Sequence, residues 1–330
     1  MPSRDFFSAV AAVAVAACCV DLPATRAADW PSRPVKIVIP FSPGGTSDRF
    51  GRLVAGELSR SFGQQFYVEN KPGGSGMTAS GEVARAAPDG YTLVLAGMGP
   101  NITGPALNPA VGYHAIRDFT HIAMIAGDST LFAVHPSLGV RTLPDLVSLA
   151  KRGTAISCGS PGVGTIGHLT LEQFRRKAEV MNITHVPYRG GGPLALDLIA
   201  NHVSAGFVAT ASAIEQVRAG KLIALAVTTN ERVATLKEVP TFAELGYPEV
   251  EATTWGWLAG PPGMPPQITD SLNRATRHFI NTPGMQRRFA AESMLTKDLD
   301  SAALTAFLAQ ELQRWTAVVQ ETGLAAAGTR

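Results

Sequence analysis

The sequence has few cysteines, little net charge and no long apolar run beyond its N-terminus. Its 330 residues include three cysteines, and 28 basic against 26 acidic side chains give a formal net charge of +2. A balance this close to zero provides no basic field, so nucleic-acid binding is not expected. After the N-terminus, no segment offers the ~20 consecutive apolar residues that a membrane-spanning helix needs. A hydrophobic share of 45% still provides for a sizeable globular core.

The N-terminus is predicted to be a signal peptide. Arg4 gives a positive start, and an uncharged run rich in Ala and Val follows over residues 6–20. That length suits the apolar region of a signal peptide and is too short to span a bilayer. A small-x-small site ends at Ala27, so we expect residues 1–27 to be removed and the chain to be exported. A second possibility is lipoprotein processing, because the residues before Cys18 resemble a lipoprotein cleavage box.

Cleavage after Ala27 would leave Cys158 as the only cysteine of the mature chain. One cysteine cannot form an internal disulfide, so the fold has to be stabilised by its core. Cys158 lies in an apolar strand pattern, which favours a buried structural thiol over a nucleophile.

The first regular unit is a strand, a tight turn and a helix N-terminus. An apolar β-branched run over residues 35–39 leads into Pro43-Gly44-Gly45, and the N-cap formers Thr46-Ser47-Asp48 precede a helical pattern. The free N–H groups and the dipole of a helix N-terminus favour an anion at such a turn. The alternative is a plain turn in which Asp48 only caps its helix.

Two further strand–loop–helix units follow the first, which predicts a parallel sheet. The order of the remaining elements fits two α/β lobes joined near Gly127 and Ala252. We expect lobe 1 to comprise residues 28–127 and 253–330, and lobe 2 to comprise 128–252. Residues 97–113 are predicted to be a long irregular loop, and residues 127–130 a hairpin turn between two strands.

Gly162-x-Gly164-x-x-Gly167 matches the dinucleotide-binding pattern between a strand and a helix. The acidic residue expected at the end of the next strand is missing, because Pro187-Tyr188-Arg189 stands there. We therefore interpret this turn as a second backbone anion site, with Ser160, Thr165 and His168 as polar helpers.

The sequence contains no recognisable catalytic or metal-binding pattern. The glycine turns lack the lysine of a phosphate P-loop, and there is no Gly-x-Ser-x-Gly elbow. The seven histidines are scattered and show no metal-ligand spacing. We therefore expect no enzyme activity, no cofactor and no metal.

Four polar, glycine-containing loops follow predicted strands, at residues 41–48, 70–76, 97–104 and 159–167. Open α/β sheets bind ligands at the carboxyl ends of their strands, where these loops would lie. Backbone donors without a partnered base or nucleophile favour binding over turnover.

A series of short motifs extends over nearly all of the mature chain. They are Trp30-Pro31-Ser32-Arg33-Pro34, Pro40-Phe41-Ser42-Pro43-Gly44-Gly45 with Asp48, Val68-Glu69-Asn70-Lys71-Pro72-Gly73-Gly74, Pro88-Asp89-Gly90-Tyr91-Thr92-Leu93, Asn108-Pro109, Asp118-Phe119, Val186-Pro187-Tyr188-Arg189-Gly190, the segment 219–227, Val239-Pro240-Thr241 and Trp255-Gly256. In their order and spacing they resemble the periplasmic solute-binding proteins of tripartite tricarboxylate transporters, the Bug family.

This resemblance implies a type II periplasmic-binding-protein fold (a Venus flytrap): two α/β lobes with a ligand cleft and two hinge crossings. It implies a monomer in the periplasm that binds a small organic carboxylate through backbone amides and ordered water, and that serves membrane permease subunits. The expected ligand-binding residues are Phe41, Pro43, Gly44, Gly45, Thr46, Asp48, Asn70, Gly73, Gly74, Ser75, Asn101, Ser160, Gly162, Gly164, Thr165, His168 and Tyr188. The alternatives are a ligand-sensing subunit for a membrane sensor kinase and an exported hydrolase or oxidoreductase.

The sequence departs from the family pattern near the strand that contains Phe207. Relatives often carry an acidic residue directly after this Phe, where Val208 stands here, and Ser204 replaces a common Asp. An acidic group there would meet a ligand amine. Its absence favours a plain mono- or dicarboxylate, with an apolar or aromatic body, over an amino acid.

Overall fold

The structure is a computed structural model that describes residues 30–324. The predicted signal peptide, both of its cleavage options and the outer ends of predicted lobe 1 lie outside the described residues. Over residues 30–324, no helix combines the length and the apolar character needed to cross a membrane.

Within residues 30–324, nine strands make up a curled mixed sheet. They are β1 (Val35–Ile39), β2 (Phe66–Asn70), β3 (Thr92–Gly97), β4 (Thr120–Val134), β5 (Ile156–Ser160), β6 (Ile183–Pro187), β7 (Ala205–Ala209), β8 (Ile223–Val227) and β9 (Thr253–Gly260). Their order is β2-β1-β3-β9-β4-β7-β5-β6, and β8 also pairs with β4.

In the described part of the chain, ten α-helices cover the strands. They are α1 (Thr46–Phe62), α2 (Met77–Ala84), α3 (Gly104–Leu107), α4 (Leu143–Lys151), α5 (Ile166–Lys177), α6 (Gly191–Ile199), α7 (Thr210–Arg218), α8 (Pro266–Ile280), α9 (Pro283–Ala291) and α10 (Ser301–Thr322). A π-helical turn over Gly99–Thr103 leads into α3, and short 3-10 turns lie at Gly74–Gly76, Pro109–Val111 and Pro136–Leu138.

The curled sheet has two halves, and each is covered by helices on both faces. In the first half, β1 pairs in parallel with β2 and β3, as the three strand–loop–helix units predict. Val35 and Ile37 pack with α1 and α8 on one face, while Val38 packs with α2 and α10 on the other. In the second half, β5 pairs in parallel with β6 and β7. Successive side chains of each strand point to opposite faces of the sheet, and helices cover both faces. Each half is therefore an α/β layer structure.

Strand β4 belongs to both halves. Its residues 120–129 pair with β9, and its residues 130–134 pair with β7 and β8. The expected lobe boundary at 127/128 falls inside this strand, and the expected boundary at 252/253 falls where β9 begins. The two halves are therefore joined by β4 and by the segment that leads into β9.

The predicted hairpin turn at residues 127–130 is wrong, because β4 runs through it without interruption. The polar groups of these residues form hydrogen bonds with partners that are distant in sequence. Ser129 Oγ lies 2.6 Å from Thr210 Oγ1, and the Thr130 N–H donates to Thr228 Oγ1 at 3.1 Å. With polar partners on both sides, the segment continues as strand.

The predicted irregular loop at residues 97–113 is instead mostly helical turns. The Asn108 N–H donates to the Gly104 carbonyl at 2.8 Å, and the Asn108 side chain accepts from the Ala110 N–H at 3.2 Å. These local bonds satisfy the backbone within a segment whose Gly, Pro and Asn content indicated a loop.

Candidate ligand-binding cavity

A cavity of about 120 Å³ lies between the two halves of the sheet. The turn after β1, the turn after β3 and the first half of β9 form one side, and the starts of α5 and α6 and the end of β7 form the other. Its wall is largely apolar and includes Phe50, Leu95, Ile125, Phe207 and Met294. A ligand of this cavity would need an apolar body, because these side chains offer no hydrogen bonds.

The turn after β1 contributes backbone donors at one end. Gly45, Thr46 and Ser47 line the cavity, and Gly45 is the N-cap residue of α1. Among the described residues no side chain caps this helix, so its first N–H groups lack a capping partner there. An anion beside them would also be stabilised by the helix dipole.

Asp48 holds this turn together. Its carboxylate accepts hydrogen bonds from the Gly44 N–H at 3.1 Å and from Asn70 Nδ2 at 3.0 Å, and it pairs with Arg52 at 2.9 Å. Burial raises the pKa of Asp48, but the bonds from Arg52, Gly44 and Asn70 outweigh it and leave the pKa below its ordinary value. Asn70 also donates to the Phe41 carbonyl at 3.0 Å, so it supports the turn from behind.

The turn after β5 contributes a second helix N-terminus. Thr165, Ile166 and Gly167 line the cavity where α5 begins. The Thr165 hydroxyl donates to the Gly162 carbonyl at 2.7 Å instead of capping the helix. The N–H groups at the start of α5 are therefore also without a side-chain cap.

His168 and His185 stack beneath this turn, with ring centroids 4.1 Å apart. His168 Nδ1 accepts from the Gly164 N–H at 3.0 Å, and His185 Nε2 lies 2.7 Å from Ser160 Oγ. Burial, together with the nearby Arg175, lowers the pKa of His168 to about 3 and that of His185 to about 4. Both rings are therefore neutral at neutral pH, and they support the turn.

The structure brings part of the expected site to the cavity wall. Phe41, Gly45, Thr46, Asp48 and Thr165 line the cavity. The other expected residues do not line it: Pro43, Gly44, Asn70, Gly73, Gly74, Ser75, Asn101, Ser160, Gly162, Gly164, His168 and Tyr188.

Several of the residues away from the wall have structural partners. Asn101 Oδ1 accepts from the Gly97 N–H at 3.2 Å, which shapes the turn after β3. The Tyr188 hydroxyl donates to Asp197 at 2.8 Å. A Cβ on Gly162 would lie 2.8 Å from Ser75 Oγ, so these two turns approach each other closely across the cleft.

Further contacts close the cleft around the cavity. The Ser42 N–H donates to the Arg189 carbonyl at 3.3 Å. The hydroxyls of Thr46 and Ser212 lie 2.8 Å apart, and Thr103 Oγ1 donates to the Gly164 carbonyl. Each contact joins one half of the molecule to the other, so the structure shows the closed arrangement.

Several residues of the wall are not among the ligand-binding residues expected from the sequence. They are Ser42, Ser47, Phe50, Leu95–Pro100, Ile125, Ala126, Asp128, Thr130, Pro161, Ile166, Gly167, Gly191, Phe207, Ala209, Thr254–Gly256 and Met294. The loop 97–104 was expected at the site, but within it only Asn101 was named. Asp128 and Thr130 were missed because the segment was interpreted as a hairpin turn.

Within residues 30–324, no group of three or more His, Cys, Asp or Glu side chains is arranged to hold a metal ion. Cys158 is buried, and burial raises the pKa of its thiol.

A cavity closed between two α/β halves, with uncapped helix N-termini at its wall, defines a solute-binding protein of the Venus-flytrap class. Within that class, the chain belongs to the tripartite tricarboxylate transporter family of receptors, whose family model matches residues 50–324. The resemblance found in the sequence is thereby confirmed. The family consists of receptors, so the expectation that the chain is not an enzyme agrees with it.

Relatives of known name or structure agree with this assignment. The protein BugT of Bordetella pertussis is 32% identical over 296 residues, which cover 89% of this chain and 90% of BugT. A Rhodopseudomonas palustris protein solved with adipate is 33% identical, with a TM-score of 0.85 over 89% of this chain and 99% of that one. MatC from the same organism, solved with bound malate, is 28% identical, with a TM-score of 0.83 over 88% and 99%. The expected fold class is confirmed by these structures.

Proposed function

We propose that this receptor captures a small organic carboxylate in the cavity between its two lobes and delivers it to permease subunits of a tripartite tricarboxylate transporter. In this proposal the chain is exported to the periplasm, cleaved after Ala27 and acts as a monomer. The ligand carboxylate binds at the N-termini of α1 and α5, near Gly45, Thr46 and Thr165. The lobes are those expected from the sequence, with hinges in β4 and before β9.

One observation carries the proposal: two uncapped helix N-termini meet a cavity whose wall contains no lysine, arginine or histidine among the described residues. Neutral amide donors can hold a carboxylate without leaving an unpaired cation buried when the site is empty. The apolar remainder of the wall suits the carbon skeleton of an organic acid. The adipate and malate bound to the two relatives are acids of this kind.

In this proposal, opening at the hinge between the lobes admits the ligand, and closure distinguishes the liganded receptor for the permease. Contacts such as that of Ser42 with Arg189 exist only when the cleft is closed. A ligand that touches both lobes binds the closed state more tightly and shifts the population toward it. The closed form is then the one that docks on the permease.

Thermal unfolding in the presence of mono-, di-, tri- and aromatic carboxylates tests the ligand class. A ligand at 100 times its Kd should stabilise the protein by about 2.7 kcal/mol and raise its Tm. We expect a subset of the carboxylates to do so. Stabilisation by neutral sugars or metal cations alone would contradict the proposal.

Delivery to a permease is tested separately, by uptake into proteoliposomes that contain the permease subunits. Uptake of the identified acid should require this receptor. A receptor that binds the acid but supports no uptake, and instead activates a sensor kinase, would favour the sensing role.

A further inference from the structure

Asp128 places a second carboxylate in the cavity wall, on the strand that joins the two lobes. The residue is only 2% exposed and lines the cavity. Both of its oxygens lie 3.4 Å from the same donor, the Ala211 N–H at the start of α7. The neighbouring Thr210 N–H also acts on the carboxylate and lowers its pKa. These two backbone amides still leave acceptor capacity on a group that can accept about four hydrogen bonds.

The charged groups around Asp128 are occupied with one another. Arg49 donates to the Ala211 carbonyl at 3.2 Å and pairs with Glu292 at 3.3 Å. Within the described residues, no basic side chain forms an ion pair with Asp128. Burial raises the pKa of Asp128 to about 7, the Ala211 N–H and Arg49 oppose this rise, and Glu292 adds to it. The carboxylate therefore has unused acceptor capacity in a water-poor site.

We propose that Asp128 is a specificity-determining residue that accepts a hydrogen bond from a donor group on the ligand. The ligand is then a small organic acid that carries a hydroxyl or an ammonium group in addition to the carboxylate bound by the helix N-termini. This inference rests on the proposed function and narrows its ligand class. It differs from the plain mono- or dicarboxylate that the missing acid after Phe207 favoured, because the acidic group comes from β4 instead.

Charge repulsion and the cost of an unpaired buried acceptor favour a ligand that carries a donor. Above pH 7, where Asp128 is ionised, a ligand carboxylate beside it would meet like-charge repulsion, which costs most in a buried site. A donor on the ligand removes that conflict and satisfies a buried acceptor, whereas an unsubstituted acid leaves the acceptor without a partner. We expect a large difference in affinity between acids with and without a donor group. An unsubstituted acid would leave a buried acceptor unpaired, and this costs more free energy than one neutral hydrogen bond contributes.

Isothermal titration with three acids of equal chain length tests the inference: succinate, malate and aspartate, which carry no substituent, a hydroxyl and an ammonium. We expect the wild-type protein to bind malate or aspartate at least about tenfold more tightly than succinate. In Asp128→Asn, this preference should fall to about twofold or less. The Asn oxygen can still accept from the Ala211 N–H, so α7 should remain folded. Asp298→Asn, at a surface carboxylate paired with Arg277, is the control and should keep the wild-type preference.

The arms separate the two donors and the two proposals. If Asp128→Asn loses affinity for aspartate alone, the donor on the ligand is an ammonium group. If it loses affinity for malate alone, the donor is a hydroxyl. If succinate binds as tightly as both others, or if Asp128→Asn keeps the preference, Asp128 only caps α7 and the inference is wrong while the proposed function stands. If no carboxylate of this set or of the thermal panel binds, both fail.

Discussion

Gly127 lies directly beneath the indole of Trp255, its partner across β4 and β9. A Cβ built on Gly127 would lie 2.6 Å from two carbons of the ring and 2.8 Å from Thr253 Cγ2. Trp255 is 7% exposed and forms part of the cavity wall. The missing side chain at 127 therefore lets the indole lie flat against β4 at the place where this strand passes from one lobe to the other.

Replacement of Gly127 should both destabilise the protein and disturb the cavity wall. We expect Gly127→Ala to lower the free energy of unfolding by about 1–3 kcal/mol, since overpacking forces the indole or the strand to move. Urea denaturation measures this loss, and ligand titration measures the change at the wall. Gly284→Ala is the control, because a Cβ there meets nothing within 4 Å. A change at Gly127 no larger than at Gly284 would show that Trp255 adapts freely.

What the sequence predicts well is local. Thr142 and Asp145 stand three residues apart, in the pattern of a capping box, and the structure shows both bonds of that motif at the start of α4. The Thr142 N–H donates to Asp145 at 3.1 Å, and the Asp145 N–H donates to Thr142 Oγ1 at 3.3 Å. The glycine turn before α1 was found in the same way, because a strand, a turn and an N-cap follow one another within a few residues.

What the sequence does not predict depends on partners that are distant along the chain. Asp128 meets Ala211, which lies 83 residues further on, and no local pattern indicates that pairing. A buried aspartate next to Gly and Ser has the composition of a turn, so the segment was interpreted as one. The cavity wall also depends on residues that are distant in sequence. In the sequence, Phe50, Phe207 and Met294 look like ordinary core residues, and only the fold brings them together around one cavity.

Closure of the cleft should depend on the absence of a side chain at Gly192. A Cβ there would lie 2.9 Å from the Pro43 carbonyl and 3.3 Å from the Gly45 N–H, both across the cleft. We expect Gly192→Ala to weaken ligand binding about tenfold or more, because the closed state loses its contact with the turn after β1 while each lobe stays intact.

Titration calorimetry and small-angle scattering with and without ligand would check this. Gly56→Ala, in the middle of α1 with nothing within 4 Å of the new Cβ, is the control and should bind normally. The corresponding change at Gly45, Gly45→Val, should also weaken binding more than folding, since its Cβ would lie 3.4 Å from the Gly192 N–H. Normal affinity in both cleft variants would contradict the closed state as the binding state.

Asp48 should contribute to both stability and binding, because it organises the turn that lines the cavity. We expect Asp48→Ala to lower the free energy of unfolding by about 1–3 kcal/mol, since the Gly44 N–H and the Asn70 amide lose their acceptor. Ligand affinity should fall as the turn loosens. Asp270→Ala, at an exposed position of α8, is the control for removing a surface carboxylate. Wild-type affinity in a folded Asp48→Ala protein would exclude this turn as one side of the site.

The stacked pair of His168 and His185 should make the protein less stable in mild acid. Their pKa values of about 3 and about 4 in the folded protein lie below the ordinary value of 6.5. The unfolded chain therefore binds more protons, and the free energy of unfolding falls as the pH drops below 6.5, by about 1.4 kcal/mol per pH unit for each ring. Asp128, whose pKa of about 7 is raised in the folded protein, contributes with the opposite sign.

The slope of the free energy of unfolding against pH, compared between the wild type and a histidine variant, separates the contribution of the histidines from that of other titrating groups such as Asp128. We expect the decline between pH 6 and pH 4.5 to be shallower in His185→Gln than in the wild type, by about 1.4 kcal/mol per pH unit. Urea denaturation at several pH values measures both slopes. The slope is the informative quantity, because a loss of packing shifts the curve at every pH, whereas loss of a titrating ring changes its gradient. His278→Gln, on the exposed surface of α8, tests whether any imidazole would do the same. Equal slopes in the wild type and His185→Gln would mean that His185 is protonated in the folded protein, and the neutral stack beneath the turn would then be wrong.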